Sequence, residues 1–319
     1  MKKFWKLFLP ISAFLLLVAA CSEETANTHS DSERLNVVTS IFPMYEITKE
    51  VAGDRADVSL MVGANEDAHH YEPSAQAVAS VNEADVFIYA SENMESWVDS
   101  LLDVVENEDL ESIEFSKGLD LELEESNHSE ALEDLEDGEE HGHEHDDVDP
   151  HFWLNPLNVK NQLPLVVNAL TAADPEGAEV YTENAQKFSQ ALTELDQTYT
   201  ETFKDAKQRT FVVQHQAFGH LATHYDLKQV AVGGLSTEIE TSPQALSKII
   251  NFVNEQNVPV IYYQSGDQSA TAEAIAKETG TEIAVLYDLE SKPTDLDGEE
   301  NLYLEAMAQN LEQLKKSIQ

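Results

Sequence analysis

Between Glu139 and Pro156 the chain reads EEHGHEHDDVDPHFWLNP. The first half sets His141, His143 and His145 among acidic residues and one glycine, a polar composition with nothing to bury. The second half sets a single histidine, His151, beside Phe152, Trp153 and Leu154, residue types that belong in a core. Neutral imidazole nitrogen is a favoured ligand of borderline metal ions, zinc foremost. A soft collection of ligands beside one anchored imidazole therefore points to the handling of a transition-metal ion, with zinc the leading choice.

The chain holds eleven histidines and one cysteine, Cys21. With no thiol to spare, a zinc site has to be built from histidine plus carboxylate, amide or water. His69 and His70, in DAHHYEPSAQ, follow one strand-like run and precede a helical one, and His215, in VVQHQAFG, sits in the same context. Parallel α/β sheets bind ligands at such strand ends. Each of these histidines taken alone reads as readily as a structural or surface residue. Two at equivalent strand ends, with His151 in an anchored loop, tip the balance toward a site. His220 and His224, four residues apart, read as one face of an amphipathic helix. No HExxH occurs and no obvious general base stands beside these motifs, although three histidines and a water would imitate a catalytic site. A metal receptor, a weak hydrolase and a surface adhesin are the three classes left in play, the receptor leading and no catalysed reaction expected.

Lys and Arg number 18 against 61 Asp and Glu, a formal net charge of −43. Nothing here neutralises phosphates, which removes nucleic acid as a partner. Most of the acidity reads as a solvated surface. At the N-terminus, Lys2, Lys3 and Lys6 precede a mostly apolar run from Leu7 to Val18, interrupted by Pro10. That run is too short for a comfortable membrane span and reads as a signal peptide over residues 1–20. Val18-Ala19-Ala20-Cys21 looks like a bacterial lipobox, which makes Cys21 the expected lipidation site. Residues 21–34 then form a polar tether, with a reach of roughly 20 Å over its twelve residues after Cys21. The folded part is thereby expected outside the cell membrane, held to its outer face.

The elements that would position these histidines alternate between strand and helix. Strands are expected at 35–39, 57–62, 84–90 and 112–115, with helices at 45–52, 73–82 and 94–105. After residue 207 the pattern restarts, with strands at 210–213, 230–232, 258–263 and 282–286 and helices at 217–224, 242–255, 270–279 and 303–317. Such alternation implies α/β lobes with mainly parallel sheets flanked by helices. Residues 119–149 lose periodicity and read as a mobile acidic, histidine-rich loop. Tyr181, Ala185, Phe188, Leu192, Leu195, Tyr199 and Phe203 recur at spacings of three and four. They mark one long helix within 173–207, longer than one small lobe needs. The expected organisation is an N-terminal lobe over 35–172, the linking helix over 173–207 and a C-terminal lobe over 208–319.

AHHYEPSAQ, DPHFWLNP, ADPEGAEVYTENAQKF and VVQHQAFGH occur in that order. Together they resemble the metal-binding lipoproteins that feed bacterial ABC uptake transporters, specifically their zinc-specific branch. The resemblance covers nearly all of residues 35–319. It implies two α/β lobes joined by one long rigid helix, with the metal in the cleft between them, a monomer, and delivery of Zn2+ to a membrane permease. It assigns His69, with His70 as understudy, His151 and His215 as ligands. In manganese-type relatives a glutamate replaces the third histidine, so His215 favours zinc. For the fourth position it offers Asp288, in VLYDLE, or the place occupied by Gln264, in YYQSGD. Asp288 or a water is preferred over an amide, and Asp267 is a further nearby carboxylate. His141, His143 and His145 resemble the auxiliary metal-collecting loop of zinc-specific members.

Overall fold

The computed structural model describes residues 34–63, 66–121, 148–232, 243–264, 270–296 and 301–319. The proposed signal peptide and tether with Cys21, the loop histidines His141, His143 and His145, and Asp267 lie outside these residues.

Two four-stranded sheets, both wholly parallel, form the frame. The first contains β1 (Leu35–Thr39), β2 (Ala56–Leu60), β3 (Val86–Tyr89) and β4 (Glu111–Glu114) in the order β2-β1-β3-β4. The second contains β5 (Thr210–Val213), β6 (Lys228–Ala231), β7 (Val260–Gln264) and β8 (Glu282–Leu286) in the order β6-β5-β7-β8. The two lobes thus share one plan, as their alternating sequence pattern implied. Every residue of β3 is buried, as expected for a parallel strand covered on both faces. In each sheet the strand order reverses beside the first strand, and doubly wound sheets place ligands at the C-terminal side of that switch.

Around the first sheet lie α1 (Phe42–Ala52), α2 (Ala75–Asn82), α3 (Val98–Leu102) and α4 (Pro156–Ala173). Helix α5 (Ala178–Phe203) follows, and the second lobe adds α6 (Gly219–His224), α7 (Pro243–Gln256), α8 (Ala270–Thr279) and α9 (Leu302–Leu314). At 1.5 Å per residue, α5 is about 39 Å long. Its buried stripe is Tyr181, Ala185, Phe188, Leu192, Tyr199 and Phe203. Near its start, Asn184 donates to the Val51 carbonyl of α1. Near its end, Tyr199 donates to the Met307 carbonyl of α9 and stacks on Tyr225. One element therefore touches both lobes. Gly53, which ends α1 at φ 56°, is a place only glycine fits: a Cβ there would stand 2.9 Å from the Asn184 amide nitrogen, and the backbone is left-handed.

Three elements differ from their sequence expectation. Asp174 and Pro175 head a separate 3₁₀ turn, Pro175–Gly177, and α5 itself begins at Ala178 and ends at Phe203. Helix α4 has no counterpart in the sequence reading, because Pro164 stands in its middle. The helix survives because Asn155 caps Leu157 N–H, Pro156 occupies the first turn where no N–H is needed, and Val159, Leu163, Val166 and Leu170 are buried while Pro164 faces outward. Helix α3 is much shorter than 94–105, because the buried carboxylate of Glu95 captures the Ala90 and Ser91 N–H groups and the Ser40 hydroxyl. That capture holds residues 91–97 in turns rather than a helix.

One large core runs through both sheets and α5, and a second cluster, centred on Ile249, Val253, Ile261 and Ile275, fills the far face of the second sheet. Among the described residues no helix is long and apolar enough to cross a membrane.

Candidate metal centre

Four segments deliver side chains to one point. The turn after β2 carries His69, whose backbone N–H is held by Asp67 Oδ1 at 2.8 Å; the indole N–H of Trp97 donates to the preceding carbonyl, that of Ala68. The segment entering α4 carries His151, fully buried at the head of a 3₁₀ turn formed by Phe152–Leu154. The loop after β5 carries His215, steadied where Gln229 accepts the Phe218 N–H. The loop after β8 carries Asp288 and Glu290. Asn310 clamps its start through both polar atoms of the Tyr287 backbone, and the Trp153 indole donates to the Asp288 carbonyl at 2.7 Å.

His69, His151, His215 and Glu290 each offer one donor atom, and all four atoms lie within 4.8 Å of one another. From Glu290 Oε1, the Nε2 atoms of His151, His215 and His69 stand at 2.9, 3.3 and 3.7 Å. A tetrahedron with bonds of about 2.0–2.1 Å has edges of about 3.3 Å, which these separations bracket. His69 Nε2 is buried and finds no hydrogen-bond partner among the described residues. A buried ring nitrogen without a hydrogen-bond partner, in such company, fits the role of a metal ligand atom.

The other ring nitrogens are oriented by carboxylates. Asp149 Oδ1 takes both the Nδ1–H of His151, at 2.7 Å, and its backbone N–H, at 3.0 Å. Asp288 Oδ2 stands 3.1 Å from His215 Nδ1. Carboxylate–histidine pairs of this kind orient imidazoles at metal sites in general, and here both rings turn Nε2 toward Glu290 Oε1. Without an ion the cluster is bound by its own charges. Burial disfavours charge on His151, but its hydrogen bonds to Asp149 and Glu290 outweigh that and push it up to about 10. Burial likewise opposes charge on His215, yet the Glu290 and Asp288 carboxylates raise it. Glu290 is held well below the usual carboxylate range, since the His215 charge and the His151 hydrogen bond overcome its desolvation.

The three histidines singled out by motif converge here. The carboxylate grouped with them is Glu290, not Asp288. Asp288 instead stands behind His215, and its other oxygen accepts the Glu290 N–H at 3.3 Å. The geometric reason is Leu289, buried with φ 66°, which turns the chain between the two acids. A non-glycine residue in this region costs about 1 kcal/mol, and nothing in VLYDLE marks it. Gln264 closes β7 opposite Leu286. His70 is turned outward, half-exposed, with Nδ1 3.2 Å from Asp67 Oδ2. His220 and His224 do not act as one face: His220 is buried against the Asp149 carbonyl, and His224 bonds Asp196 of α5 at 2.7 Å.

Fold and side-chain cluster together describe a two-lobed α/β protein in which three loops after strands and the entry to α4 bring donor atoms to one cation-sized position. The chain belongs to the family described as zinc-uptake complex component A, periplasmic, whose model matches residues 37–317. It is 38% identical to the zinc-binding lipoprotein AdcA of Streptococcus pneumoniae over 99% of its own length, spanning 61% of that relative. It is 36% identical to the high-affinity zinc uptake system protein ZnuA of Bacillus subtilis over 100% of its length and 99% of that protein's. Among solved structures, the Zn(II)-bound ZnuA-like domain of the pneumococcal AdcA superposes with a TM-score of 0.74 at 37% identity, over 89% of this chain and 98% of that one. The laminin-binding protein of Streptococcus agalactiae, described as having adhesin and metal-transporting activity, superposes with a TM-score of 0.75 at 34% identity, over 89% and 99% of the two chains.

Proposed function

We propose that this chain captures a single Zn2+ between its lobes through Nε2 of His69, His151 and His215 and Oε1 of Glu290, and surrenders it to the permease of an ABC uptake transporter. The observation that carries the reading is the convergence of three ring nitrogens and one carboxylate oxygen within 4.8 Å, two of the rings being held from behind by Asp149 and Asp288. Three imidazoles and one carboxylate suit zinc, and all-oxygen sets suit magnesium or calcium. Four protein donors also close the tetrahedron, leaving no vertex for the water that catalytic zinc activates. Binding and hand-over, not catalysis, is the chemistry this arrangement serves. The names of the pneumococcal and Bacillus relatives agree with the choice of metal.

In this reading residues 1–20 are removed, Cys21 carries lipid, and a monomer hangs from the outer face of the cell membrane. The histidines at 141, 143 and 145 collect zinc weakly for the cleft.

The test is metal content by mass spectrometry on the protein lacking residues 1–21, purified without a histidine tag, with zinc titration of the wild type and the single alanine variants of His69, His151 and His215. One tight zinc per chain, weakened in all three variants, is expected. Full affinity in the variants, with loss on deletion of 119–147, would make the protein a surface zinc buffer instead. A second reading, adhesion to host matrix, is favoured by the likeness to the laminin-binding protein. Laminin capture indifferent to the three histidines would support it.

A further inference from the structure

His220 lies five residues beyond His215, on α6, and is 5% exposed. Its Nε2 is 2.8 Å from the backbone carbonyl of Asp149. A carbonyl only accepts, so the imidazole carries its proton on Nε2 and donates it. That peptide unit belongs to the residue whose carboxylate grips both the ring and the backbone N–H of His151. A path of hydrogen bonds therefore runs from α6 through the main chain of Asp149 to the imidazole of a proposed ligand. The same helix follows the loop that bears His215, so α6 couples two ligand loops that are 64 positions apart by residue number.

We infer that His220 is a positioning residue for the metal centre: its Nε2–H fixes the Asp149 peptide, and through it the Asp149 carboxylate and the His151 ring. The inference rests on the zinc reading above. His220 spends its Nε2 on the carbonyl and lies outside the donor group of His69, His151, His215 and Glu290. It acts on the ion only through another residue. Residues that orient a metal-binding imidazole typically change affinity by about 10–100-fold when lost.

Three substitutions separate the donor from the bulk. His220→Phe keeps a ring and removes the N–H. His220→Gln places an amide N–H near the position of Nε2. His151→Ala tests the zinc reading itself. Each is titrated with zinc, loaded with Co2+ for its visible absorption spectrum, and melted free of metal. The expected result is that His220→Phe binds zinc about 10-fold more weakly and shifts the cobalt bands, while His220→Gln recovers wild-type affinity within about 3-fold and the wild-type spectrum. Equal losses in His220→Phe and His220→Gln, tracking an equal drop in melting temperature, would reduce His220 to packing and overturn the inference. Wild-type affinity and spectrum in His220→Phe, with His151→Ala impaired, would overturn it and leave the zinc site standing. Wild-type zinc binding in His151→Ala would overturn the zinc reading and the inference with it.

Discussion

Glu290 Oε1 lies 2.9 Å from His151 Nε2, across a sequence separation of 139 residues. Both groups are buried, and neither would be stable there alone: an unpaired charge in the interior costs several kcal/mol. Their contact offsets that cost, and its consequences can be measured one group at a time.

His151→Ala removes one of four proposed donors. Four-ligand zinc sites are worth roughly 10–16 kcal/mol at neutral pH, so a single donor is worth about 3–4 kcal/mol, or roughly 10²–10³-fold in affinity. Competition titration with a zinc chelator is expected to read that loss. The same change leaves Asp149, 4% exposed, without its imidazole partner. The metal-free variant is therefore also expected to melt earlier, by the equivalent of about 3–5 kcal/mol for a buried charge stripped of its partner.

Glu290→Gln and Asp288→Asn separate the two acids of the last loop. Glu290 is placed to touch the ion, so its amide variant is expected to lose about 10²-fold or more in zinc affinity. Asp288 stands behind His215, so its amide variant is expected to lose about 10–100-fold. Reversal of that order in parallel titrations would return the fourth position to Asp288.

The pH dependence should run in opposite senses with and without metal. His151 is pushed up to about 10 in the folded, metal-free protein, against about 6.5 unfolded. Its proton therefore stabilises the metal-free fold fully below about pH 6.5, and that contribution fades as pH rises toward about 10. Glu290 is held low, so its contribution is present above about pH 4.3, the unfolded value, and is lost as pH falls through its lower folded value. Zinc must displace the His151 proton, so apparent affinity is expected to rise with pH between 6 and 9, by about one decade per pH unit or more. Calorimetry in buffers of different ionisation enthalpy should find about one proton or more released per zinc at pH 7.5. The melting-temperature increment from zinc, removed by chelator, should grow over the same range. A pH-independent affinity would exclude His151 as a ligand.

The strand-and-helix alternation and the apolar spacing on α5 were legible because both depend on local period. His69 and His215 stood out because they follow strand-like runs, where this architecture gathers ligands, and His151 because Phe152, Trp153 and Leu154 anchor its loop. What escaped depended on tertiary detail. Helix α4 was hidden by Pro164, a local breaker that the Asn155 cap and the buried face of Val159, Leu163, Val166 and Leu170 outweigh. Residues 94–97 were read as helix because the demand of Glu95 for the Ala90 and Ser91 N–H groups cannot be seen in composition. Which of Asp288 and Glu290 lies nearest the three histidines turns on one dihedral angle, that of Leu289. Leucine carries no signal for a left-handed conformation.

Leu192→Ala tests whether scaffold and site are separable. Leu192 is fully buried on α5, the element that spans both lobes. Truncating it leaves a cavity and is expected to cost about 2–5 kcal/mol in chemical denaturation of the metal-free protein. None of the four proposed ligands lies on α5; they come from the turn after β2, the entry to α4 and the loops after β5 and β8. Local donor geometry should therefore persist, and zinc affinity measured well below the melting temperature should stay within about 3-fold, the range expected for a site distant from the change. A large loss of affinity with a small loss of stability would mean that the span of α5 sets the distance between His69 and His151 on one lobe and His215 and Glu290 on the other. The linking helix would then be part of the binding site's tuning as well as its support.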